Sequence, residues 1–249
     1  MRKLLDRLFA KADDVHLDQS QDNASSLQGV NSYHRQLTDD ELNRNEHRDF
    51  VGGLWDEIGR LQHDFMVSRG LTPQHTLLDV GCGALRGGIH FIDSLDLGNY
   101  HGLDINESLL NGGKREIKHA GLVDKHPKLL INQNFEFWQF GTKFDYALAV
   151  SVFTHLPMNH IVRCLVELAK VLKPQGQFFA SFFEAPTSAF LEQIKHEPGG
   201  VITHYDEDPF HYSFAEFQCM ADLANLSVEL VGNWSHPRDQ QMLCFRLTH

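Results

Sequence analysis

The chain has 249 residues, enough for one large domain with a well-buried core, and its 42% hydrophobic and 22% charged composition is that of a soluble globular protein. A formal net charge of −11 and no run of Lys or Arg argue against long nucleic acid as a partner, because basic contacts to phosphate carry most of that affinity. No apolar run approaches the roughly 18 residues needed for stable membrane insertion. Cys82, Cys164, Cys219 and Cys244 are far apart and form no C-x-x-C pair, which points to reduced thiols in a cytoplasmic protein.

Met1 to Lys11 is basic and amphipathic, with Leu4, Leu5, Leu8 and Phe9 on one side, and reads as a frayed terminal helix or a weak tether. Residues 1–48 together form a polar arm, expected to be partly ordered, and the folded domain spans 49–249. Leu54, Ile58, Leu61 and Phe65 recur at helical spacing from about Gly53 to Arg69, and Gly70 with Pro73 stops the helix. Thr76 to Val80 is a short apolar strand, followed by a helix from about Leu85. Tyr100 to Asp104 is a second strand, and Asn106 caps a helix that ends near Gly121. Lys128 to Asn132 and Phe144 to Val150 are further strands. Ile161, Leu165, Leu168 and Leu172 mark a helix stopped by Lys173-Pro174-Gln175-Gly176, and Gln177 to Phe183 is a fifth strand. This alternation predicts a doubly wound, Rossmann-like α/β sheet of seven strands, mostly parallel, with helices on both faces.

The end of the chain breaks the rhythm. Around 184–212 lies a long segment rich in His, acids and aromatics, expected to be a substrate lid. Ser213 with Glu216 is a capping box opening a helix to about Leu223. Strands near Val228 to Val231 and Met242 to Leu247 follow with no helix between them, so the sheet should close with an antiparallel hairpin strand.

The strongest chemical signal is Leu77-Leu78-Asp79-Val80-Gly81-Cys82-Gly83, at the end of the first strand. Glycines there let the backbone turn tightly and approach a ligand, and the crevice at the carboxyl ends of the strands is where open α/β sheets bind ligands. A dinucleotide fold would place a glycine where Arg86 stands, which disfavours NAD. The motif resembles that of class I S-adenosylmethionine-dependent methyltransferases. The resemblance covers about Leu54 to Leu247 and also rests on His101-Gly102-Leu103-Asp104-Ile105, Phe144-Asp145-Tyr146-Ala147-Leu148, Val152-Phe153-Thr154-His155-Leu156 and Leu172-Lys173-Pro174-Gln175-Gly176. Leu85 departs from the family's frequent third glycine, and the variant Ala84-Leu85-Arg86-Gly87-Gly88 is similar to an uncharacterised bacterial branch.

The resemblance implies S-adenosyl-L-methionine as cofactor. Asp104 would grip the ribose hydroxyls, with Ile105 beside it. Asp79 would meet the cofactor's ammonium group, with Gly81, Cys82 and Gly83 under the methionine moiety. Asn134 and Phe135 are candidates to bracket the adenine, Ser151 and Val152 to line the pocket, and Arg86 to pair with the cofactor carboxylate. A hydroxyl acceptor also needs a base, and His155 is the first candidate. Glu184, His204 and His211 are further candidate acceptor contacts, and Trp55 with the N-terminal arm is placed to close the other side of the cleft. The expected reaction is methyl transfer to a small-molecule or glycan-like acceptor, most readily at oxygen, with a homodimer left open. The competing readings are a non-catalytic scaffold on the same fold and a protein methyltransferase. A further one is an iron site built from His204, Asp206 and His211 or His236.

Overall fold

Strands and helices alternate from residue 77 onward in the computed structural model, which describes residues 32–248. The strands are β1 (Leu77–Val80), β2 (Tyr100–Asp104), β3 (Lys128–Ile131), β4 (Phe144–Ala149), β5 (Leu172–Glu184), β6 (Ile194–His196), β7 (Val201–Thr203), β8 (His211–Tyr212), β9 (Leu226–Asn233) and β10 (Gln241–Leu247). The helices are α1 (Asp39–Asn43), α2 (Glu46–Phe50), α3 (Trp55–Ser68), α4 (Gly88–Ser94), α5 (Glu107–His119), α6 (Met158–Ala169) and α7 (Phe214–Leu223). The main sheet runs in the order β3-β2-β1-β4-β5-β10-β9, with β8 pairing alongside β5. β1 pairs in parallel with β2 and β4, and β10 is antiparallel to both β5 and β9. The strand order reverses at β1 and β4, which opens a crevice beyond their carboxyl ends.

Every residue of β1 is buried, the apolar run expected of a parallel strand covered on both faces. Alternate residues go to opposite sides. Leu78 joins a core with Leu165 and Leu168 of α6 and Phe217 of α7, while Leu77 joins one with Phe65 and Met66 of α3 and Phe91 of α4. Asn106 caps α5 by accepting from the N–H groups of Ser108 and Leu109 at 3.0 and 3.2 Å. Ser213 and Glu216 form the capping box of α7. Ser213→Ala is therefore expected to cost about 1 kcal/mol in urea unfolding, because the Glu216 N–H loses the Ser213 hydroxyl while the Glu216 carboxylate keeps the backbone N–H of residue 213. An unchanged midpoint would count against this cap.

Three boundaries differ from the sequence expectation. α4 starts at Gly88, not near Leu85, because Leu85 sits at φ 70° and cannot begin a right-handed helix. β5 starts at Leu172, so Lys173-Pro174-Gln175-Gly176 lies in an irregular stretch of strand. Phe144 already pairs with Leu172, and the register then shifts before Tyr146 meets Gln177. The 184–212 segment is a built insertion, with β6 and β7 forming a hairpin and β8 lying parallel to β5.

Residues 32–50 pack on the domain. Leu37 and Leu42 cluster with Ala84 of the glycine loop and Leu109 of α5, flanked by Phe50, Val51 and Trp55. Met1 to Lys11 lies outside the described residues. No described helix is long and apolar enough to cross a membrane. The cysteines are free; Cys82, Cys164 and Cys244 are buried and Cys219 is exposed.

Candidate active site

At the end of β1 the chain turns through Gly81 and Gly83, at φ 66° and 54°, a region costly for residues with a Cβ. A Cβ on Gly81 would also lie 2.5 Å from Val152 Cγ2, so this position is closed to side chains on two counts. The Leu103 carbonyl accepts from Gly81 N and Cys82 N at 2.8 and 3.1 Å, pinning the turn to β2.

Asp104 ends β2 and is 8% exposed. Its carboxylate accepts from Gly83 N and Asn106 N, each at 2.8 Å, and so joins the glycine loop to the start of α5. Burial pushes its pKa up, against the pull of those N–H groups. Asp79 is buried, and Tyr100 donates its hydroxyl to it at 2.6 Å. Burial raises the Asp79 pKa to about 7, with the Tyr100 bond opposing.

Arg86 is 8% exposed rather than solvated at a helix end. Its Nη1 donates to the carbonyls of Val51 and Gly53 at 3.1 and 2.9 Å, and its Nε is buried with no partner. Burial, then the neighbouring Arg238 charge, lowers its pKa to about 10.

These groups line one pocket. Ile105, Cys82 and Val152 also face it, as does Ser151, which sits at φ 58° and is held by its N–H donating to Ser181 Oγ at 2.8 Å. After β3, Asn132 Oδ1 accepts from Asn134 N and Glu136 N at 2.8 and 3.1 Å. That turn puts Gln133 and Phe135 in the pocket wall and leaves Asn134 outside it. Gln133 thus stands where the sequence reading placed Asn134.

His155 also lines the pocket, and its Nδ1 is paired with Asp208 Oδ1. The insertion is anchored here by Phe210 N donating to Thr154 O at 2.7 Å. The other candidate acceptor contacts lie outside the pocket lining. Glu184 is at the end of β5, in register with Tyr212 of β8. His204 Nδ1 is 3.4 Å from Glu207 Oε1. His211 is 1% exposed and structural, its ring spanning Thr203 Oγ1 and the Phe190 carbonyl at 2.9 Å each. Among the described residues no group of His, Cys, Asp or Glu is placed to hold a metal ion, so the iron reading has no geometry behind it. Val51, Gln62 and Gln133 line the pocket without a sequence signal, and Tyr33 lines it from the N-terminal arm expected to close the cleft. Asp208 carries a faint one, as an acid in a histidine-rich insertion. Trp55 does not line the pocket, and it takes the Arg48 guanidinium on its ring at 4.9 Å.

The strand order, the glycine loop and the acid at the end of β2 belong to a Rossmann-like fold that this chain shares with solved class I S-adenosylmethionine-dependent methyltransferases. Within it, residues 78–178 match the family model described as a methyltransferase domain. Cycloartenol-C-24-methyltransferase of Arabidopsis thaliana is 33% identical over 138 residues, a match covering 55% of this chain and 39% of that enzyme. The chain therefore spans well under two thirds of that relative's length. A solved S-adenosylmethionine-dependent methyltransferase from Clostridium acetobutylicum superposes with a TM-score of 0.61 at 10% identity, over 84% of this chain and 99% of that one. Magnesium protoporphyrin IX methyltransferase from Synechocystis PCC 6803, solved with SAH bound, gives 0.59 at 16% identity, over 83% and 94%.

Proposed function

We propose that this chain transfers a methyl group from S-adenosylmethionine to a hydroxyl oxygen of a small-molecule or glycan-like acceptor, with His155 as general base. The observation that carries the reading is His155 in the wall of the pocket formed by the glycine loop, with its Nδ1 paired to Asp208.

The pocket suits this cofactor. Asp79 and Arg86 lie in one wall, an acid and a base matching the ammonium and carboxylate of an amino-acid moiety, and the orphaned Arg86 Nε is a buried donor in want of an acceptor. Asp104 offers carboxylate lone pairs for ribose hydroxyls, and Phe135 and Leu103 offer apolar surface for a base. The bound cofactor supplies a methyl group already activated by the sulfonium. The protein's work is to hold the acceptor in line, exclude water and remove its proton. Asp208 on Nδ1 orients the His155 ring and stabilises the imidazolium that forms when the other ring nitrogen takes the acceptor's proton.

Asp79 makes cofactor binding pH-dependent. Its folded pKa of about 7 lies above the ordinary carboxylate value, so the free protein loses stability as pH rises from the unfolded pKa, about 4, to about 7. An ammonium group reverses the sign, because it pairs only with the ionised form. S-adenosylhomocysteine, the probe, should bind more tightly as pH rises towards neutrality and should release a proton below about pH 7. Isothermal titration in buffers of different ionisation heat measures that proton, and Asp79→Asn should eliminate it. Absence of binding by folded protein would end the methyltransferase reading.

A further inference from the structure

Residues 32–54 form a strap along the pocket, which Tyr33 and Val51 line. Its middle is held on α5 by His47 and Arg48 binding Glu116 at 2.7 Å, and its two ends are fixed next to groups assigned above to the cofactor. At one end, Asn106 Nδ2 donates to the Tyr33 and Arg35 carbonyls at 2.7 and 2.9 Å, while its backbone N–H is held by Asp104. At the other, three successive carbonyls are gripped by two guanidinium groups. Arg86 takes those of Val51 and Gly53, and Arg238, from the loop before β10, takes that of Gly52. Arg238 is backed by the insertion that carries Asp208, since a Cβ on Gly199 would meet Arg238 Cα at 2.7 Å.

This second fixed point carries backbone strain at one residue. Gly52, Gly53 and Leu54 are all at positive φ, 92°, 63° and 46°; the two glycines adopt this freely, but Leu54 does not, and it is 45% exposed, so little packing compensates its backbone. Arg86 and Arg238 repel each other, and among the described residues neither forms a salt bridge. An anionic group meeting Arg86 would relieve that repulsion. The strap also brings Tyr33 into the pocket wall, with its ring against His155 at 4.9 Å between centroids and edge-on at 65°.

We propose that cofactor binding tightens this strap through Asp104–Asn106 and Arg86, and that Tyr33 is thereby set as a positioning residue for His155, so that the acceptor side is assembled after the cofactor side. The inference rests on the methyltransferase reading but adds an order to it. Its energetic content is a coupling between strap and cofactor, and coupling is reciprocal: whatever loosens the strap must weaken the cofactor by the same factor.

The test uses the full chain and S-adenosylhomocysteine alone. Hydrogen exchange of the backbone amides of 33–53 is expected to slow at least about fivefold on binding. Arg238→Ala, which removes the grip on Gly52 and is assigned no contact with the cofactor, is expected to raise Kd about five- to tenfold, mainly through faster dissociation. In histidine-labelled protein with ligand bound, the His155 ring nitrogen resonances, which report tautomer and hydrogen bonding and respond little to ring current, should keep their position in Tyr33→Phe and move in Tyr33→Ala. Ligand binding with unchanged strap exchange and wild-type affinity in Arg238→Ala would overturn the coupling and leave the methyltransferase reading standing. An unmoved His155 resonance in Tyr33→Ala would overturn the positioning role. Failure of the ligand to bind at all would take down both readings.

Discussion

Asp104→Ala is expected to lose cofactor binding and to destabilise the fold at the same time. A carboxylate has about four lone-pair sites. Gly83 N and Asn106 N occupy two, the Ile105 N–H also faces the carboxylate, and the capacity that remains is what a ribose hydroxyl would use. Hydrogen bonds to a charged group are worth about 1.5–3 kcal/mol each, so losing even one raises Kd by about ten- to a hundredfold. The same substitution strands two buried N–H groups, at about 1–3 kcal/mol each. Asp104→Asn separates the effects only in part, because its amide nitrogen would face a backbone N–H that needs an acceptor. Titration with S-adenosylhomocysteine and urea unfolding on the same samples measure both quantities. A folded Asp104→Ala protein that binds within about threefold of wild type would remove Asp104 from the cofactor site.

His155→Ala should leave cofactor binding nearly unchanged and lower turnover by roughly a hundred- to ten-thousandfold, the range for a lost general base. Asp208→Asn should approach that loss. An amide that turns its NH2 to Nδ1 favours the wrong imidazole tautomer and puts the proton on the nitrogen that must accept one. The measurement is S-adenosylhomocysteine production with an acceptor drawn from a screen of sugars and hydroxylated metabolites. Turnover of His155→Ala within about threefold of wild type would sink the base assignment and point to an acceptor such as a neutral amine, which attacks through its lone pair and loses its proton to water afterwards.

Some of this geometry is visible in one dimension. Leu77-Leu78-Asp79-Val80 followed by Gly81 and Gly83 contains both its strand and its turn, because full burial and positive φ are local demands that only certain residue types meet. Asp104 is found by counting from its own strand, and the capping box of α7 and the closing hairpin are likewise short-range. Asn134 lies outside the pocket wall and Gln133 inside it, since the direction of a side chain after β3 depends on a turn stabilised by Asn132, and periodicity does not report on turns of that kind. Glu184, His204 and His211 stand out in the sequence only by chemistry and place in the insertion, and His211 is spent on Thr203 and the Phe190 carbonyl.

The alternation of strands and helices as far as β5, the glycine turn with the acids beside it, and the class of fold are written locally, because each depends on residues within a few positions of one another; the β6–β8 insertion is not. It takes the folded chain to bring Asp208 to His155, Tyr33 to the same ring from the N-terminal side, and Arg86 and Arg238 to the carbonyls of Val51, Gly52 and Gly53. Those contacts join segments distant in the chain. They exist because the strand order reverses at β1 and β4 and gathers their loops over one crevice, a consequence of how the sheet closes its core that no local pattern encodes.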